Sequence, residues 1–231
     1  MVNDAVQTRH SGRLIAWLVF VSLLALLAYS ARLTDTETPD DLAYRYSSSV
    51  AAVIQYGIML GILLLIARGL PRRELFALRR PASWKRALGL AVLALLAIYA
   101  AAFVYERALS LFGNWNATDE QGLVPDGWDA SRAAPFVANF LVIAIVAPFV
   151  EELTYRGLGF AAVASAYGPV TAIVVTSLAF GLAHGLVVAL PVLTIFGAIL
   201  AWLRFKTKSI YPTVILHGLF NGAALIAAVS T

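Results

Sequence analysis

The sequence predicts an all-α protein, a polytopic membrane bundle of about seven transmembrane helices. Composition is the first sign. Hydrophobic types make up 61% of the 231 residues and charged types 13%, where a soluble domain carries roughly a quarter charged residues. The second sign is length: the apolar residues gather in runs near the roughly 20 residues that a bilayer-spanning helix needs, with a mean hydropathy of +0.81. The third is the alternating charge of the segments between the runs. None of the runs alternates polar and apolar residues over ten-residue segments, which argues against a transmembrane β-barrel. The absence of cysteine excludes disulfides, thiolate zinc sites, iron–sulfur clusters and cysteine nucleophiles.

The runs cover approximately residues 14–31, 50–67, 87–105, 135–150 and onward, 169–190, 191–205 and 210–229. Arg9 and Arg13 precede the first. The first loop is acidic, with Asp35, Glu37, Asp40 and Asp41 against Arg32 and Arg45. Arg68, Arg72, Arg73, Arg79, Arg80, Lys85 and Arg86 crowd the second, and Asp119, Glu120, Asp126 and Asp129 fall in the third. Arg204, Lys206 and Lys208 lie before the last span. Basic residues stay on the cytoplasmic side, so seven spans with a cytoplasmic N-terminus satisfy every loop. The net charge of +4 reads as orientation and contact with anionic headgroups, not nucleic-acid binding. Trp84 reads as an interfacial anchor. Arg13, the first apolar run and Ala28-Tyr29-Ser30-Ala31 also resemble a signal peptide, but the run is long for one and six more follow. Asn116-Ala117-Thr118 matches a glycosylation pattern of little specificity, and His10 reads as a solvated terminal residue.

Chemistry is confined to a short stretch. Between Ala133 and Leu203 the formal charges are Glu151, Glu152 and Arg156. A carboxylate at the centre of a membrane helix costs at least about 2.5–3.5 kcal/mol, so such groups are functional by default. Glu152 and Arg156, four apart on one helix face, can pair structurally. Glu151 points about 100° away from Glu152 and has no evident partner. His184 and His217 also fall in the runs. If the chain turns at Tyr167-Gly168-Pro169, Glu151 and His184 are equidistant from the turn and meet at one depth. His217 and Asn221 share a face of the last span. Gly181, Gly185, Gly218 and Gly222 allow close helix approach. Pro148 cannot donate to the carbonyl of Ala144 and should bend the fourth span just before Glu151. Ser177, seven residues from His184, reads as a packing hydroxyl, so no serine nucleophile is evident.

Glu151-Glu152-x-x-x-Arg156, Phe180-x-x-x-His184 and His217-x-x-x-Asn221 together resemble the three motifs of the CPBP family, the CAAX-processing and bacteriocin-processing intramembrane proteases, also called the Abi or type II CAAX endopeptidase family. The resemblance covers roughly residues 135–227, and Leu78-Arg79-Arg80-Pro81 resembles a feature of bacterial members. It implies a membrane endopeptidase in a bacterial cytoplasmic membrane, with its site open towards the cytoplasm. It divides the chain into a three-span region, 1–133, and a four-span catalytic core, 134–231. By motif, Glu151 and His184 would activate water, His217 and Asn221 would stabilise the oxyanion, and Glu152 and Arg156 would hold the site together.

The residues themselves agree with this reading. Peptide hydrolysis needs a base, a water and donors where negative charge develops, and the partner would be a membrane-associated protein or peptide. No metal is the favoured expectation. Zinc is the alternative, since Glu151, His184 and His217 are suitable ligands, although their spacing is not that of a His-Glu-x-x-His site. A non-catalytic scaffold or immunity-type partner of the same fold is a second reading, because family membership does not establish turnover. A small transporter is a third, weakened by the absence of repeated halves.

Overall fold

The structure, a computed structural model, describes residues 2–33, 41–111 and 127–230, with side chains from residue 12 onward. Asp35, Glu37, Asp40, Trp115, Asn116-Ala117-Thr118, Asp119, Glu120 and Asp126 lie outside the described residues, as do the side chains of Arg9 and His10.

The described residues are helical, without strands. Helix α1 runs Val2–Leu33, α2 Tyr46–Ile66, α3 Arg72–Leu75 and α4 Trp84–Leu109. Next come α5 (Ala133–Leu141), a π-helical stretch (Val142–Val146), α6 (Ala147–Glu152), a second π-helical stretch (Leu153–Gly159) and α7 (Phe160–Leu182). Helices α8 (Leu190–Thr207) and α9 (Tyr211–Val229) complete the bundle. Ser83 caps α4 by accepting from the Arg86 N–H, and Pro212 opens α9 in the first turn, where its missing N–H costs nothing.

Among the described residues six helical segments are long and apolar enough to cross a membrane, and one of them, Ala130–Leu182, holds 53 residues. It is two helices joined at a kink, the expected fourth and fifth spans, with no loop between them. Its reversal is made at one residue, Gly168, whose φ of +85° and ψ of 167° are non-helical and suit glycine because it lacks a Cβ. Pro169 follows and removes a further helical N–H. The fold-back is evident from Tyr155 and Phe180. Their rings lie 5.3 Å apart edge to face, whereas 25 residues of straight helix would separate them by about 37 Å. The expected end of the fifth span at 190 is corrected to Leu182. A turn follows, with Gly185 at φ +67°, and α8 begins at Leu190.

The two ends of the bundle differ in charge. At one end Arg79 Nε donates to the Lys208 carbonyl at 2.6 Å, Ser209 Oγ donates to the Arg79 carbonyl at 2.5 Å, and Ile210 N–H donates to the Ala77 carbonyl at 3.2 Å. These bonds join the two basic loops. At the other end Arg132 pairs with Asp41 at 3.1 Å and Asp129 at 2.6 Å, and Tyr44 Oη donates to the Gly127 carbonyl at 2.6 Å. Hydrogen bonds from Ser131 and Arg132 hold the Asp129 carboxyl down at about 2. Between these ends, large apolar side chains such as Leu26, Leu27, Leu88, Leu96, Val104 and Leu219 remain more than 60% exposed. A surface of this kind needs lipid as its solvent. The chain is an integral, multi-pass membrane protein.

The centre of the bundle is the broken helix. Every residue from 150 to 160 is buried, which marks a segment enclosed on all faces. Trp17 of α1 donates its indole N–H to the Thr154 carbonyl at 2.9 Å. Helix α9 approaches the first π stretch so closely that a Cβ at Gly218 would collide with the Ala144 carbonyl oxygen. Gly218→Ala should therefore destabilise the protein by about 1–3 kcal/mol, read as a lowered thermal unfolding midpoint in detergent. Gly57→Ala, where nothing lies within 4 Å, should leave that midpoint unchanged.

Candidate active site

Three segments bring the polar residues together: α6 with the π stretch after it, the end of α7, and α9. Arg156 is fully buried and acts as the hub. Its Nη1 donates to Glu152 Oε1 at 2.8 Å and its Nη2 to the Gly197 carbonyl of α8 at 2.9 Å. Its guanidinium lies 4.6 Å from the centre of the Phe180 ring, a cation–π contact strengthened by the absence of solvent. The expected i,i+4 pair of Glu152 and Arg156 thus forms, and its distances suit charge-assisted hydrogen bonds.

Glu152 Oε1 also meets His217 Nδ1 at 3.0 Å. A carboxylate oxygen can only accept, so Nδ1 donates and Nε2 is turned the other way. Nε2 faces Glu151 Oε2 at 3.7 Å. That gap is too long for a direct hydrogen bond. The imidazole of His217 therefore stands between the two carboxylates, each on its own nitrogen. Phe180 and Phe196 wall the ring edge-on, at 5.7 and 5.1 Å between centroids.

Glu151, which has no evident partner in the sequence, has one in the fold. Tyr56 Oη of α2 donates to Glu151 Oε1 at 2.6 Å. Sequence reasoning missed this residue. The signal for it was position: tyrosine belongs at membrane interfaces, and Tyr56 is the eleventh residue of the 21-residue α2. A hydroxyl at mid-span needs a buried acceptor.

Asn221 lies one helical turn beyond His217, and its Nδ2 donates to the Ile143 carbonyl at 3.2 Å. In the π register a carbonyl pairs with the N–H five residues on. For Ile143 that residue is Pro148, which has none. The carbonyl that Pro148 leaves without a π-register donor is that of Ile143, where the sequence pointed to Ala144, and Asn221 satisfies it. The second N–H of the amide stays available as a donor.

His184 sits on the turn after α7. It lies two residues beyond the end of α7 and is exposed from the protein interior. Among the described residues no hydrogen bond or ion pair joins it to Glu151; its ring instead packs 4.6 Å from Phe180. Phe180 is thus the common neighbour of both histidines. His184 Nδ1 lies 2.7 Å from the Phe180 carbonyl, which can only accept, so Nδ1 donates and Nε2 keeps a free lone pair. The turn after His184 is held from outside the motif segment. Tyr29 Oη donates to the Leu186 carbonyl at 3.1 Å, Arg32 Nη1 to the Gly185 carbonyl at 3.1 Å, and Tyr105 Oη to the Val188 carbonyl. These donors occupy backbone carbonyls that irregular structure at membrane depth would otherwise leave unsatisfied.

Among the described residues, no three His, Asp or Glu side chains converge as a metal-binding set. Glu151 and His217 face each other, without a third such side chain converging on them among the described residues.

Removing Arg156 would strand the Glu152 carboxylate. Breaking a buried pair in this way costs about 3–5 kcal/mol. Arg156→Ala should therefore lower the unfolding midpoint far more than Arg79→Ala at the exposed basic end, measured by thermal melts in one detergent.

Comparison with curated proteins and with solved structures gives no match. The family comparison does. Residues 133–223, which supply Glu151, Glu152, Arg156, His184, His217 and Asn221, match the model of the type II CAAX prenyl endopeptidase family, Rce1-like, in agreement with the resemblance carried by the three motifs.

Proposed function

We propose that the protein is an intramembrane endopeptidase in which Glu151 and His184 activate water and His217 and Asn221 stabilise the oxyanion. The family match supports a CAAX-type membrane protease. The finer assignment rests on one observation: a buried Glu151 carboxylate 3.7 Å from the free nitrogen of a histidine whose other nitrogen is tied to a second carboxylate. Such an arrangement orients an imidazole as an acidic residue does in hydrolytic triads.

In the proposed reaction Glu151 takes a proton from water. The water oxygen bonds to the scissile carbonyl carbon, and the carbonyl becomes an oxyanion. The second N–H of Asn221 and His217 Nε2, once it carries a proton, donate to that oxyanion. Collapse breaks the C–N bond, and the proton taken from water returns to the leaving amine. His184 presents an Nε2 lone pair from the exposed rim and orients the water. We favour this metal-free course. The substrate is a membrane-associated protein or peptide reached through the bilayer, and the charge pattern supports a cytoplasmic N-terminus.

Purified protein in detergent, incubated with a farnesylated peptide ending in a CaaX sequence and with pooled membrane peptides, provides the test. Wild type should cleave, Glu151→Gln and His184→Ala should each lose at least about a hundredfold in kcat, and a chelator should change nothing. Loss on chelation with rescue by zinc would replace the mechanism by a metal-dependent one. A cellular phenotype surviving both substitutions would favour the scaffold.

A further inference from the structure

Helix α2 lies outside the matched segment, yet among the described residues it contributes the side chain hydrogen-bonded to Glu151. We infer that Tyr56 is the positioning residue of the catalytic carboxylate, so that the active site is completed by the N-terminal spans. The inference deepens the protease reading and rests on it.

Several features carry it together. Tyr56 Oη donates to Glu151 Oε1 at 2.6 Å, the short distance of a hydrogen bond to a carboxylate. The other groups that might have held Glu151 are engaged elsewhere. Arg156 is spent on Glu152 and the Gly197 carbonyl, and His217 Nδ1 on Glu152. With Oε1 fixed by Tyr56, the carboxylate can turn only about that bond, and Oε2 is aimed at His217 Nε2 across 3.7 Å. Loss of the phenolic hydroxyl frees the carboxylate to rotate out of that gap. Most of α2 otherwise faces lipid, with Val50, Val53, Ile54, Ile58 and Leu65 exposed. Tyr56 turns a polar group inward at the middle of that helix, where an unpaired hydroxyl is costly.

A structural tyrosine would matter through packing, and Tyr56→Phe keeps the ring. A positioning tyrosine matters through kcat, because misplacing a catalytic group by a fraction of an ångström is enough to cost about tenfold or more in rate. Binding of substrate elsewhere in the site should not change. A loss in kcat at constant KM is the signature of an interaction used in the transition state.

The experiment uses the full chain in detergent. Its first arm places 3-fluorotyrosine at position 56 and records the fluorine resonance with Glu151 and with Glu151→Gln. Its second arm measures cleavage of the farnesylated CaaX peptide and the pooled membrane peptides by wild type, Tyr56→Phe and Glu151→Gln. The resonance should move on Glu151→Gln. Tyr56→Phe should lose about tenfold or more in kcat, with KM within about twofold and an unchanged melting midpoint. A resonance indifferent to Glu151→Gln overturns the inference. So does a wild-type kcat in Tyr56→Phe when Glu151→Gln is inactive. A fully active Glu151→Gln would instead take the catalytic role from Glu151, and no cleavage by wild type would count against the protease reading, which separates those failures from failure of the role given to Tyr56.

Discussion

Arg156 carries a full charge into the middle of a membrane bundle, and the rest of the centre is arranged around that fact. A buried guanidinium needs a paired charge and bonded donors, and here both terminal nitrogens find partners although Nε has none. One edge meets Glu152, another the Gly197 carbonyl, and its flat face meets Phe180. Glu152 is thereby tied to one place and can orient His217. The ion pair is costly as a source of stability. What it supplies is direction: it fixes which nitrogen of His217 faces Glu151.

The helix that carries these residues is irregular where it matters. Two π-helical stretches flank Ala147–Glu152, and such widened turns recur at functional sites because they release backbone groups and rotate side chains out of the regular register. Here the release comes from Pro148. Asn221 takes up the Ile143 carbonyl, and Gly218, with no side chain, lets α9 come down onto Ala144. The same two devices that repair the broken helix bring His217 to Glu152. Broken helix and close-packed α9 are thus joined at Ile143 and Ala144.

Much of this was legible in the sequence. The helical membrane class followed from composition and run length, and the two charged ends followed from the loops, with Arg79 and Lys208 at one end and Asp41 and Arg132 at the other. The pair of Glu152 and Arg156 followed from their spacing of four, and the reversal at Gly168 from the Tyr-Gly-Pro signal. The tightness of that reversal was less legible, because a single non-helical glycine turns the chain without a loop. His184 was expected inside a span at the depth of Glu151, and it lies on the turn after α7 instead of inside the span. Equal distance from the turn fixes depth only if both strands of the hairpin are regular helices. One arm contains two π stretches and the other ends at Leu182, two residues short of His184. Tyr56 was not found because it is 95 residues from Glu151 in the chain. Periodicity and spacing report neighbours on one helix, and say nothing about which helix comes to lie beside it.

The central claim is that Glu152 and His217 act as one buried unit. A double-mutant cycle tests it most directly, with unfolding free energies measured for wild type, Glu152→Gln, His217→Ala and the double variant in the same detergent. Contacting residues in one hydrogen-bond network couple by about 0.5–3 kcal/mol, and the account predicts a coupling of that size between these two. Additive effects, with the double variant losing the sum of the single losses, would contradict it.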